Sequence, residues 1–155
     1  MKPSLGMSVV IPTYNRIDML KNTLAGLVVQ EGFNRDFEVV LVDNGSDIPI
    51  GIHVSEFKRY LDIKIISRKV NIKFLPGTAR NIGVLNSKYE NILFLDSDCI
   101  PSRCLLINHW RAVSPNDKVA SIGHRVFIKS DDMKTDLIMT SDFLNHEFEI
   151  VCAFR

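Results

Sequence analysis

The sequence predicts an α/β fold, a doubly wound and mostly parallel sheet, and three observations carry that expectation. Short β-branched apolar runs alternate with stretches of helical periodicity. Three of those runs end on polar clusters: Pro12-Thr13-Tyr14-Asn15-Arg16, Asp43-Asn44-Gly45-Ser46 and Asp96-Ser97-Asp98. The last places two carboxylates directly after the apolar Ile92-Leu93-Phe94-Leu95. Strand–helix alternation implies βαβ units with right-handed crossovers and a sheet covered on both faces. Strand ends of such a sheet gather on one edge, and open α/β sheets bind their ligands there.

The elements follow in order. Met7 to Ile11 is a continuous apolar run that stops at Pro12, as a buried strand would. From Ile17 to Val29, Met19, Leu20, Leu24, Leu27 and Val28 recur at helical spacing, with Asp18 and Lys21 elsewhere on the wheel. Phe37 to Val42 is a second buried strand, closed by the turn chemistry of Asp43-Asn44-Gly45-Ser46. His53 to Tyr60 is expected as a second helix and Ile63 to Ile66 as a third strand. Gly77 to Ser87 is expected as a helix opened at Pro76-Gly77, and Ile92 to Leu95 as the fourth strand. Pro101 stands where a further helix can start, running toward Trp110. Val119 to Ile128 holds a fifth strand, and Met133 to Glu149 shows mixed helical periodicity.

At 155 residues, 46% hydrophobic and 24% charged, the chain has the size and composition of one globular domain over 1–155, its motif-bearing core about 7–128. Nineteen Lys+Arg against 18 Asp+Glu leave a net charge of +1, which carries no polybasic nucleic-acid footprint. No apolar stretch approaches the roughly 20 residues that span a bilayer, and the N-terminus lacks an apolar leader. Cys99, Cys104 and Cys152 form no framework spacing and read as reduced thiols of a cytoplasmic chain. Cys99, Cys104 and His109 match no standard zinc pattern. His53, His109, His124 and His146 read as surface or structural histidines, and Trp110 as a packing residue.

Adjacent carboxylates repel unless a cation or hydrogen-bond donors offset their charge. A hard divalent ion held by one or two carboxylates and a substrate's phosphates is the common solution. A fourth segment, Pro76-Gly77-Thr78-Ala79-Arg80-Asn81-Ile82-Gly83, lies before the last strand and supplies a cation. Taken together, Ser8–Arg16 (SVVIPTYNR), Leu41–Ser46 (LVDNGS), Pro76–Val84 (PGTARNIGV) and Phe94–Pro101 (FLDSDCIP) resemble, in order, the motifs of the family 2 glycosyltransferases with the GT-A fold. The resemblance covers about two-thirds of the chain, Ser8 to Leu106.

That resemblance implies a Rossmann-like nucleotide-binding half and an inverting transfer of a sugar from a UDP-sugar to an acceptor hydroxyl, carbohydrate or lipid-linked, with Mn²⁺ or Mg²⁺. The donor nucleotide would meet Pro12, Thr13, Tyr14, Asn15, Asp43, Asn44, Arg80 and Asp96. Tyr14 offers a face for a uracil-type base, and Asp43 an acceptor for a base N–H. Arg80 suits phosphate or a carboxylate. Asp96 would contact ribose or sugar, and Asp98 would hold the metal, which bridges the diphosphate as Lewis acid and template. Many members act at the cytoplasmic face of a membrane. Each residue also has a plainer reading: Tyr14 as sheet-edge packing, Asp43 as an Asx-turn, Arg80 as a surface side chain, Asp96 as a helix cap.

Three departures qualify the expectation. An inverting transfer needs a general base, which in the family lies well beyond the metal motif. The later part of the family domain is therefore expected to be short or missing, and none of Asp131, Asp132, Asp136, Asp142, Glu147 and Glu149 stands in the usual context. The loop from Asn71 through Lys73 to Pro76-Gly77 replaces a shorter Asn-x-Gly form. Asn44 replaces the second Asp of the commoner Val-Asp-Asp-Gly-Ser. The apolar Ile150-Val151-Cys152-Ala153 reads as an element meant to be buried, completed by a longer chain or by a second copy. The competing function is a donor-binding module without a base. A nucleotidyltransferase fits less well, because no Gly-rich, Lys- or Arg-bearing loop follows the first strand.

Overall fold

The computed structural model describes residues 5–68, 75–113, 119–129, 135–140 and 150–154. The chain divides into two compact units, Met1–Leu20 with Arg35–Ser97, and Lys21–Asn34 with Asp98–Arg155.

The first unit is built on a four-stranded sheet of β1 (Met7–Thr13), β2 (Phe37–Asp43), β3 (Asp62–Ser67) and β4 (Asn91–Phe94), in the order β3-β2-β1-β4. Every pairing is parallel. The chain adds β2 and β3 on one side of β1 and then returns to place β4 on the other. The reversal falls between β1 and β4, the position where open α/β sheets form their ligand crevice. Val9, Val10, Ile11 and Val39 through Val42 are fully buried, as expected of strands covered on both faces.

β1 runs past Pro12 to Thr13, farther than the sequence suggested. β4 pairs only as far as Val10, whose carbonyl accepts from Leu95 N at 3.1 Å. Alternation along the strand turns the Pro12 nitrogen to that same side, beyond the end of β4, so its missing N–H removes no ladder bond.

α1 (Ile17–Val28) follows β1 as its periodicity requires. The expected second helix is instead α2 (Ile50–His53) and a separate 3-10 turn, Ser55–Arg59. Ile50, Val54, Phe57 and Leu61 are buried at helical spacing, but Ser55 Oγ donates to the Ile52 carbonyl at 2.7 Å and Val54 leaves the helical region at φ −107°, ψ 4°. A local side-chain bond competes with the helical ladder there. α3 (Pro76–Leu85) begins with Pro in its first turn, where no donor is lost. It packs Ala79 and Ile82 onto Val10, Val40, Val42, Ile66 and Ile92. A Cβ on Gly83 would stand 2.2 Å from Val10 Cγ1, so the helix sits this low on β1 only with glycine there.

The amino edge of this sheet carries a buried carboxylate. Glu38 Oε1 accepts from Ser8 Oγ at 2.6 Å and from the Lys88 backbone N–H, while Tyr89 N donates to Ser8 Oγ at 3.0 Å. The network ties the loop before β4 to the starts of β1 and β2.

In the second unit, β5 (Cys99–Pro101), β6 (Arg125–Lys129) and β7 (Ile150–Phe154) form a sheet in the order β5-β7-β6. β5 is antiparallel and β6 parallel to β7, so the apolar run at 150–153 is a central strand. Pro101 ends β5 rather than starting a helix, and α4 begins at Leu105 (Leu105–Val113). Its first turn is held from a distance: Gln30 Oε1 accepts from Leu106 N at 3.0 Å, and Gln30 Nε2 donates to the carbonyls of Ser102 and Gly26. Trp110 packs edge-on against Phe33 at 5.8 Å, and His109 Nδ1 bonds Ser121 Oγ at 2.9 Å. α5 (Thr135–Thr140) is the described part of the tail. Among the described residues, no helix is long and apolar enough to cross a membrane.

Gly83→Ala is expected to lower stability by about 1–3 kcal/mol, the usual range for overpacking, read as a lower urea midpoint at unchanged slope. Glu38→Ala leaves Ser8 Oγ and Lys88 N without their acceptor and is expected to cost a similar amount, about 1–3 kcal/mol. Midpoints within error of the unsubstituted chain would contradict both.

Candidate functional site

Thr13 and Asp43 are the last residues of β1 and β2 and face each other in register. The pairing continues one step beyond, with Asn44 N donating to Thr13 O at 2.9 Å. Gly45 takes a φ of 88°, the left-handed turn conformation that glycine adopts without strain. This turn brings Ser46 N to Asp43 Oδ1 at 2.9 Å. The Asx-turn is thus real. Oδ2 of Asp43 has no hydrogen-bond partner among the described residues, so one carboxylate oxygen builds the turn and the other is uncommitted.

Arg68, directly after β3, donates its backbone N–H to Asp43 O at 2.9 Å and its Nη1 to Asn44 Oδ1 at 3.1 Å. A guanidinium only donates, which fixes the Asn44 amide with its oxygen toward Arg68. Asn44 Nδ2 and Thr13 Oγ1 are then left buried with no partner among the described residues. Buried orphans of this kind are rare and each costs about 1–3 kcal/mol, and two of them stand together at these strand ends.

Pro12 is buried within β1, Tyr14 is half-buried, and Asn15 is exposed at a φ of 50°. Asn15 Nδ2 donates to Asp47 Oδ2 at 2.8 Å, Asp47 N donates back to Asn15 Oδ1 at 2.9 Å, and Asn15 N reaches Ser46 Oγ at 3.0 Å.

Arg80 stands one turn into α3 and donates from Nη2 to Asp96 Oδ1 at 2.6 Å, with the two side chains 33% and 27% exposed. It is a paired cation at the strand ends, not a stray surface residue. Ser97 alone separates Asp96, in the first unit, from Asp98, in the second. Asp98 Oδ1 accepts from Cys99 Sγ at 3.8 Å. Asp96 and Asp98 each offer a carboxylate, and oxygen donors of this kind suit a hard divalent ion.

The structure therefore brings Thr13, Asp43, Asn44, Arg80 and Asp96 to the carboxyl edge of one sheet, and Asp98 follows in the chain. Arg68 and Asp47 escaped the sequence reading. Arg68's signal was its place directly after the third apolar run; nothing local marks Asp47 as the partner of Asn15. Asn71, Lys73, Asp131, Asp132, Asp142, Glu147 and Glu149 lie outside the described residues, as does the side chain of Asp136.

The family model for glycosyl transferase family 2 matches residues 8–151. Chondroitin synthase of Escherichia coli is 34% identical over 147 residues, 94% of this chain and 21% of that protein. Hyaluronan synthase of Pasteurella multocida is 32% identical over 142 residues, 92% of this chain and 14% of its own length. This chain thus spans about a fifth or less of those relatives. Among solved structures, S. aureus TarS 1–349 in complex with UDP superposes with a TM-score of 0.64 at 28% identity, covering 72% of this chain and 32% of that one. The mannosyltransferase PcManGT from Pyrobaculum calidifontis, in complex with GDP-Man and Mn²⁺, shares the fold at a TM-score of 0.63 and 20% identity, over 88% of this chain and 39% of that one. With the family model matching residues 8–151 of this chain and the family's motifs set at the ends of a parallel GT-A sheet, this chain belongs to glycosyl transferase family 2.

Proposed function

We propose that this chain carries the donor-binding portion of an inverting glycosyltransferase that takes a UDP-sugar and delivers the sugar to the hydroxyl of a carbohydrate or lipid-linked acceptor. The observation that carries the reading is the gathering of Asp43, Asn44, Arg80 and Asp96 at the carboxyl edge of β1, β2 and β4, with Arg80 held on Asp96 at 2.6 Å. The UDP-bound TarS structure, 28% identical, supports the nucleotide.

In this reading Tyr14 lies along the base, and the uncommitted Oδ2 of Asp43 accepts its N–H. Arg80 orients the Asp96 carboxylate toward the ribose or sugar. Asp98 would hold Mn²⁺ or Mg²⁺. Asp98 follows Asp96 by two positions in the chain, and its carboxylate oxygens are donors suited to a hard divalent cation. Bound there, the ion would supply charge neutralisation to the departing diphosphate. The acceptor oxygen loses its proton to a base and bonds the anomeric carbon. The bond from that carbon to the phosphate oxygen breaks, and UDP leaves with the electron pair. The free thiols of Cys99 and Cys104 suit a cytoplasmic setting.

Titration of UDP by calorimetry, with Mn²⁺ and with EDTA, tests the reading. Mn²⁺ is expected to tighten UDP binding by about tenfold or more, and Asp98→Ala to abolish that gain. Metal-independent binding, or a gain that survives the substitution, would overturn the assignment. Arg80→Ala should weaken UDP binding several-fold while costing under about 1 kcal/mol of stability, because its ion pair is partly exposed. Unchanged affinity in that variant would return Arg80 to a structural role.

A further inference from the structure

We propose that Asn15 and Asp47 form a positioning clasp that sets the nucleobase end of the donor pocket, with neither side chain touching the donor. The inference rests on the donor reading above and reassigns Asn15, which the resemblance had placed among the residues that meet the donor nucleotide. Each end of the Asn15 amide instead bonds Asp47, Nδ2 donating to Oδ2 at 2.8 Å and Oδ1 accepting from Asp47 N at 2.9 Å. The Asn15 backbone N–H is committed as well, to Ser46 Oγ at 3.0 Å.

These bonds extend the β1–β2 pairing past the end of both strands. The sequence of contacts runs from Asn44 N on Thr13 O, through Ser46 N on Asp43 Oδ1, to the Asn15–Ser46 and Asn15–Asp47 bonds. Tyr14 is thereby bracketed by Thr13 and Asn15, each bonded to the loop that directly follows Asp43. The base platform and the base acceptor of the donor reading are thus tied to each other and cannot drift independently.

Two features argue that this is more than loop closure. Asn15 holds a φ of 50°, an uncommon conformation for any residue with a Cβ, although asparagine tolerates it better than most. Asn15 and Asp47 are both exposed, where water competes for their bonds and an interaction contributes little to global stability. An unfavourable backbone held by bonds of small net worth fits a device whose benefit is realised on binding, when a pre-ordered pocket avoids the ordering cost.

The test compares Asp47→Ala, Asp47→Asn and Asn15→Gly in the full chain. Asparagine at 47 keeps an acceptor for Asn15 Nδ2. Glycine at 15 accepts the positive φ, so it removes the clasp without straining the backbone. Calorimetry measures affinity for UDP with Mn²⁺ and, separately, for inorganic pyrophosphate with Mn²⁺. Asp47→Ala and Asn15→Gly are expected to weaken UDP binding about five- to tenfold and leave pyrophosphate binding within twofold. Asp47→Asn should restore most of the UDP affinity. Equal loss for both ligands would mean general loosening of the fold and would overturn the clasp, as would UDP binding unchanged in both variants. If the unsubstituted chain binds pyrophosphate but not UDP, the donor reading itself fails and takes the clasp with it.

Discussion

Parallel pairing of β1 with β2, in unbroken register from Met7↔Phe37 to Thr13↔Asp43, is the constraint on which the rest of the site depends. β1 is buried throughout and β2 from Glu38 onward, so a slip of one residue would turn every side chain to the opposite face. The register decides that Thr13 and Asp43 finish together. Once they do, Asn44 N can reach Thr13 O, the Gly45 turn can bring Ser46 back to Asp43, and the loop after β1 can meet the loop after β2. β4 joins the other side of β1 through Val10 and ends early, which leaves Asp96 at the same edge, opposite Arg80.

The two edges of this sheet treat buried polar groups differently. At the amino edge, Glu38, Ser8 and the Lys88–Tyr89 backbone satisfy one another in a closed network. At the carboxyl edge, Thr13 Oγ1 and Asn44 Nδ2 are buried without partners among the described residues, and Asp43 has an uncommitted oxygen. A natural sequence departs from full satisfaction chiefly where function requires it. One edge is satisfied within the fold; the other leaves polar groups open at the strand ends.

Much of this was legible along the chain. The continuous apolar runs of β1 and β2 announced strands buried on both faces, and the spacing of Leu20, Leu24 and Leu27 announced α1, because those patterns follow from the strand and helix periods themselves. The second helix was misread because Ile50, Val54, Phe57 and Leu61 keep helical spacing while Ser55 interrupts the backbone path. Pro101 was misread because proline is equally at home at a helix start and at a strand end. Gln30, which holds the start of α4, carries no local mark of that role.

By itself, the sequence determined the α/β class, the family, the strand ends where chemistry gathers and the residue types available there, since each is written in local pattern or in motif order. Only the tertiary structure decided the partners. It set Arg80 on Asp96, turned the Asn44 amide by means of Arg68, and joined Asn15 to Asp47. Those choices lie between residues 16 to 32 positions apart, and no local period or propensity encodes them. They follow from parallel register, which brings the ends of separate strands to one edge before any side chain finds its neighbour.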